Sequence, residues 1–145
     1  MTLRPALPIT TDEATDCLDR LVDAFARTDT EAYFEVLDPD ATFVFAGEPE
    51  PLTGRDAYRS LWDGWVASGW RVASCNSTER RVTLAGPVAI LTHRVLTSTT
   101  GPDGGQGLDE RETVVVARSG DGVVRVLHEH LSPTTSPKTT EESAR

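Results

Sequence analysis

Two glutamates and an arginine, Glu112, Glu129 and Arg94, fall in strand-like segments whose hairpin spacing lets them meet. Around the glycine turn at residues 119–122, Arg118 is expected to face Val123. Counting back places Glu112 opposite Glu129 and Thr113 opposite His128. A symmetric hairpin at the glycine-rich tip, residues 98–107, puts Arg94 near Glu112 and His93 near Thr113. Strand alternation then gives one face with Arg94, Glu112, Val114, Leu127, Glu129 and Leu131. The opposite face carries His93, Arg111, Thr113, Val115, Val126, His128 and His130. Two carboxylates side by side in an apolar pocket cannot both ionise cheaply, so one is expected to hold its proton near neutral pH. Arg94 would keep the other ionised and orient a substrate oxygen. That is acid/base chemistry. The same three residues also read as an ion-pair network that satisfies only its own charges, and the sequence leaves both readings open.

The histidines look like metal ligands at first, since His128 and His130 share a face with His93 near by. No carboxylate joins them, and two histidines on one strand fall short of the ligand count a zinc site demands. The plainer reading packs them into a contact between two copies of the chain, and no metal is expected. Cys17 and Cys75 are far apart with no CxxC, and read as small buried residues rather than ligands. The glycines of residues 101–107 lack the lysine and following helix of a phosphate loop. Among the aromatic residues, Tyr33, Phe45, Tyr58 and Trp62, together with Val114 and Leu127, are the expected walls of an apolar ligand pocket.

Three helices and a run of strands must position these groups. Thr10 and Glu13 fit a capping box, followed by Ala14, Leu18, Leu21, Val22 and Phe25 at helical spacing. A short helix over residues 31–37 ends at the turn Asp38-Pro39-Asp40, and residues 41–45 read as a strand. Tyr58, Leu61, Trp62, Trp65 and Val66 form the stripe of a third helix, with Gly69 at its C-terminal cap. Strands follow over residues 70–84, 88–97, 108–118 and 123–132. Helices packed on one face of a sheet make an α+β fold.

With 145 residues there is one domain's worth of core, expected over residues 1–133, with a polar, serine- and threonine-containing tail at 134–145. A net charge of −9 argues against nucleic acid and anionic membrane surfaces as partners. No apolar run approaches a membrane span, and no signal-peptide core is present, so a cytoplasmic protein is expected.

Four stretches together resemble the SnoaL-like branch of the nuclear transport factor 2-like superfamily. They are Leu37-Asp-Pro-Asp-Ala-Thr-Phe43, Leu52-Thr-Gly-Arg-Asp-Ala-Tyr58, Arg111-Glu-Thr-Val-Val115 and Val126-Leu-His-Glu-His-Leu-Ser132. The resemblance implies a cone of three N-terminal helices on a curved, mostly antiparallel sheet. It also implies a pocket lined by the face that carries Glu112 and Glu129, and a homodimer through the opposite face. Its members include ketosteroid isomerases, polyketide cyclases, dehydratases and non-catalytic binding domains, and fold does not choose among them. Aligned on Asp40-Ala-Thr42, the ketosteroid isomerase base falls at Phe45 and its oxyanion tyrosine at Leu21, so that mechanism does not carry over. The pocket arginines of the related kinase II association domain fall at Leu96, Val114 and Leu131, so its anion site does not either. The expectation is a cofactor-independent isomerase, cyclase or dehydratase acting on a small apolar metabolite. The alternative is a ligand-binding or dimerisation domain without catalysis.

Overall fold

Thr10 begins the first helix, α1 (Thr11–Ala26), as its spacing to Glu13 requires. Its hydroxyl accepts from the Glu13 N–H at 3.1 Å, and the Glu13 carboxylate accepts from the Thr10 N–H at 3.0 Å. The helix buries Ala14, Cys17, Leu18, Leu21 and Ala24. Asp29 caps α2 (Thr30–Glu35), which stops two residues short of the expected Leu37. Leu37 has already turned extended to pair with Val126, and Asp38-Pro39-Asp40 lies inside strand β1 (Leu37–Val44), at an irregularity, rather than in a turn. A two-residue strand, β2 (Leu52–Thr53), precedes α3 (Arg55–Ala67). Gly69, at φ +103°, reverses the chain after α3 in a region open to glycine but strained for other residues. Four long strands complete the chain: β3 (Arg71–Ala85), β4 (Val88–Thr100), β5 (Gln106–Arg118) and β6 (Val124–Pro133).

This is a computed structural model, and it describes residues 7–134. Residues 1–6 and most of the expected tail lie outside the described residues. Thr134 is described, and its N–H and hydroxyl both donate to the Asp109 carbonyl, one residue beyond the expected boundary of 133. Among the described residues no helix is long and apolar enough to cross a membrane.

The strands form one curved sheet in the order β2-β1-β6-β5-β4-β3, parallel between β1 and β6 and antiparallel elsewhere. The fold is α+β, with a change of order from the expectation: two helices precede the first strands, and α3 is inserted after β1 and β2. The core lies between the helices and the inner face of the sheet, around Leu18, Phe34, Phe43, Trp62, Leu91, Val114, Val116 and Val126. Fully burying each such side chain contributes roughly 1.5–3 kcal/mol.

Register decides which side chains share the inner face. Arg118 pairs with Val124 rather than Val123, and a bulge between Val115 and Val116 leaves Leu127 unpaired. Beyond the bulge Val114 pairs with Glu129 and Glu112 with Leu131, so the two glutamates are diagonal neighbours on one face rather than direct partners. The bulge also sends Val126 into the core, not onto the outer face, and turns Leu127 out of the inner row. At the β4–β5 hairpin the expected register is off by one: His93 pairs with Glu112, and Arg94 with Arg111. At the tip, a Cβ on Gly105 would lie 2.4 Å from the Thr99 carbonyl oxygen, an approach only glycine permits.

Candidate functional site

Between α1, α3 and the inner face of β4, β5 and β6 the core leaves a cavity of about 610 Å³. Leu21, Val22 and Phe25 of α1, Tyr33 of α2, Tyr58 and Trp65 of α3, and Phe45 and Trp70 form its apolar wall. Cys75, Thr97, Thr99 and Gln106 add polar points, and residues 46–48 with Gln106 and Leu108 form a partly exposed rim. The Tyr33 and Tyr58 hydroxyls are 2.9 Å apart, so one donates to the other and one hydroxyl hydrogen is left for a third partner. Burial, and then the charge of Glu129, push both phenols well above their ordinary range, which keeps them neutral donors.

The charged end of the cavity is Glu112 and Glu129, 6% and 2% exposed. Among the described residues no arginine or lysine hydrogen-bonds either carboxyl. Glu129 Oε2 is buried without a hydrogen-bond partner, a costly state for an ionised oxygen. Burial first, then the charge of Glu112 and a hydrogen bond with it, raise Glu129 well above the ordinary carboxylate range. Glu112 rises to about 7 through burial, partly offset by its hydrogen bond with Glu129. The two carboxyls therefore hold a proton between them near neutral pH, and Glu129 is its better seat.

His93 completes the group. Its imidazole is fully buried, with Nε2 2.7 Å from Glu112 Oε1 and Nδ1 2.6 Å from Ser77 Oγ. Burial and the nearby Arg80 charge lower its pKa to about 4, against a smaller opposing effect of Glu129, so the ring is neutral. Geometry agrees with a neutral ring donating to a carboxylate. A neutral donor, a carboxylate and a carboxylic acid in one apolar wall can take a proton at one point and give one at another.

The structure brings Glu112, Glu129, Tyr33, Phe45 and Tyr58 to this cavity and leaves four other expected residues out of it. Arg94 lies on the outer face, gripping Asp109 through Nε (2.9 Å) and Nη2 (2.5 Å), because the one-residue register change turns it over. Trp62 is fully buried behind Tyr33 and Tyr58, with its indole N–H on Thr30 Oγ1 at 2.8 Å. Val114 is likewise closed core, and Leu127 sits at the bulge. His93, expected in an outer histidine row, is the residue that sequence reasoning missed. The histidines do not converge: His128 holds Thr42 Oγ1 at 2.7 Å beside His130 on the outer face, while His93 points inward.

A family model described as a SnoaL-like domain matches residues 14–136. No curated protein sequence matches the chain. Among solved structures it is similar to a proposed aromatic ring hydroxylase from Novosphingobium aromaticivorans, at 21% identity and TM-score 0.74 over 92% of this chain and 94% of that one. A proposed dehydratase of the NTF2-like family from Streptomyces avermitilis matches at 18% identity and TM-score 0.70, over 86% of this chain and 97% of the other. The CaMKII hub of S. rosetta matches at 20% identity and TM-score 0.69, covering 92% of this chain and all of that one, 100%. At such identities these likenesses speak for the fold alone, whereas the family match spans most of the sequence. The chain belongs to the SnoaL-like family.

Proposed function

We propose that this chain is a cofactor-independent acid/base enzyme of isomerase, cyclase or dehydratase type, acting on a small apolar metabolite. One observation carries the reading: an apolar cavity ends on two buried carboxyls, Glu112 and Glu129, to which no arginine or lysine among the described residues hydrogen-bonds, and Glu129 Oε2 has no hydrogen-bond partner there. Structural ion pairs satisfy their charges, and these two do not. Glu112, as the carboxylate, takes a proton from the substrate, and Glu129, as the acid, delivers one to it. The hydrogen bond between them then passes the proton from Glu112 to Glu129, which restores the starting state. In an isomerisation the substrate exchanges one proton for another, the abstracted one staying on the carboxyl pair; in a dehydration the delivered proton leaves with the hydroxyl as water.

Carbon-detected NMR of the glutamate side chains tests the physical premise without a substrate. The expected result is two coupled titrations, both above the ordinary ~4.3 of a glutamate. Two ordinary values would remove the acid/base reading. Crystals soaked in metabolite extract would then identify the occupant, and Glu129→Gln should bind it while losing turnover. An occupant that the wild-type protein returns unchanged would make this a ligand-binding domain.

The proposal extends to a homodimer through the outer face of the sheet. Ile90 and Leu96 are 37% and 41% exposed there, and Ile90 lies in one row with Val115 and His128. Apolar side chains on an uncovered sheet face favour a second copy. Free Cys17 and Cys75 fit the reducing, cytoplasmic setting that we propose for it.

A further inference from the structure

Strand β3 is irregular between Thr78 and Arg81, and Glu79 there has φ +55°. In a regular strand residues three apart point to opposite faces. The extra residue of the irregularity instead lets Arg80 reach back to Ser77, with Nε 2.9 Å from its Oγ. Asp19 of α1 anchors the same guanidinium, 2.5 Å from Nη1. An arginine only donates, so Ser77 Oγ accepts from Arg80 and keeps its own single hydrogen to give. His93 Nδ1, at 2.6 Å, is the acceptor in reach. A ring that accepts at Nδ1 must carry its hydrogen at Nε2, and Nε2 faces Glu112 Oε1 at 2.7 Å.

We propose that Ser77 and Arg80 are positioning residues that fix His93 as its Nε2–H tautomer and so assign roles to the carboxyl pair, Glu112 as base and Glu129 as acid. The assignment rests on the acid/base reading of the cavity and gives each carboxyl one task. With Nε2–H donating, Glu112 is the better carboxylate and the shared proton sits on Glu129. With the other tautomer, Nε2 would demand a proton from Glu112 and the roles would reverse. The charged and titrating groups acting on His93 are Glu112 of β5, Glu129 of β6 and Arg80 of β3, with Asp19 of α1 behind Arg80. Tyr33 and Tyr58 close the helix side against Glu129. Arg80 also opposes a second proton on the ring, so the tautomer persists across the range where the carboxyls titrate.

Nitrogen-15 spectra of histidine-labelled protein read the tautomer directly, with the His93 signals assigned by their loss in His93→Gln. In the wild-type protein Nδ1 should resonate as an unprotonated nitrogen and Nε2 as a protonated one. Ser77→Ala should give a mixture of tautomers and move the Glu112 titration up by roughly one pH unit. Ser77→Thr keeps the hydroxyl and should restore both signals, which a merely structural role would not require. Arg80→Met, which removes the donor to Ser77, should shift the ring towards Nδ1–H. A wild-type ring protonated at Nδ1, or a Ser77→Ala variant with unchanged tautomer and Glu112 titration, would overturn the assignment. If the spectra behave as expected but Glu129→Gln keeps full turnover, Ser77 and Arg80 still set the His93 tautomer, while the acid role of Glu129 and the acid/base reading of the cavity fall.

Discussion

Replacing Glu129 with glutamine removes a titrating group from the cavity wall while keeping its shape, and the structure dictates how stability should then depend on pH. Glu129 is 2% exposed and is held well above the ordinary carboxylate range by burial, then by Glu112. Unfolded, the same carboxyl ionises near 4.5. A raised group contributes stability that is whole below the unfolded value and is lost as pH rises towards the folded one. Through that window the folded protein keeps a proton that the unfolded chain releases, which costs the wild-type protein about 1.4 kcal/mol per pH unit. Glu112, raised to about 7, acts in the same direction up to that pH. His93, lowered from 6.5 to about 4, acts oppositely: its contribution is present above 6.5 and lost as pH falls towards 4. That term is common to both proteins and cancels in the comparison. In the variant the amide donates to Glu112 and no second carboxyl repels it, so Glu112 ionises more readily. Urea unfolding of both proteins should therefore give nearly equal stabilities at about pH 5. By about pH 7.5 the Gln variant should be clearly the more stable, the gap widening by up to about 1.4 kcal/mol per pH unit while the folded wild type keeps the Glu129 proton. A difference that stays flat across this range would refute the shared proton, and with it the argument for chemistry in the cavity.

Arg94→Ala should change stability by less than about 1 kcal/mol in thermal or urea unfolding, since its pair with Asp109 is 42% and 40% exposed. It should also leave the Glu112 and Glu129 titrations where they were; a shift in either would return Arg94 to the site. Trp62→Ala should cost about 3–5 kcal/mol in urea unfolding, because the ring is fully buried and its N–H holds Thr30. A loss below about 1 kcal/mol would mean that the aromatic cluster repacks. Sedimentation should show a dimer at micromolar concentration, and Ile90→Arg on the outer face should convert it to a folded monomer. A wild-type monomer, or a dimer indifferent to that change, would remove the proposed interface.

The elements were legible because their signals are local. The Thr10–Glu13 box, the α3 stripe and Gly69 each act within a few residues, and each sits where the pattern predicts. The site was legible only as far as register could be counted, and strand alternation makes the parity of an error matter more than its size. Between β5 and β6 the count fails twice, once at the turn, where Arg118 meets Val124, and once at the Leu127 bulge. Two single slips restore parity, so Glu112 and Glu129 share a face despite the wrong pairing. Between β4 and β5 the count fails once, and one slip turns the strand over: His93 comes to the cavity and Arg94 leaves it. Nothing local announces either bulge. The β6 bulge lies beside Val116 and Val126 where they enter the core, and the β3 irregularity where Arg80 bonds both Asp19 and Ser77. Both are tertiary choices made by contacts far apart in sequence. Charge complementarity offered one usable clue. Arg94 had an acidic neighbour available in Asp109, whereas Glu112 had none of opposite sign on its own face once Arg94 was spent there. A buried glutamate in that position needs a neutral donor, and His93 is the only histidine on β4, one residue away.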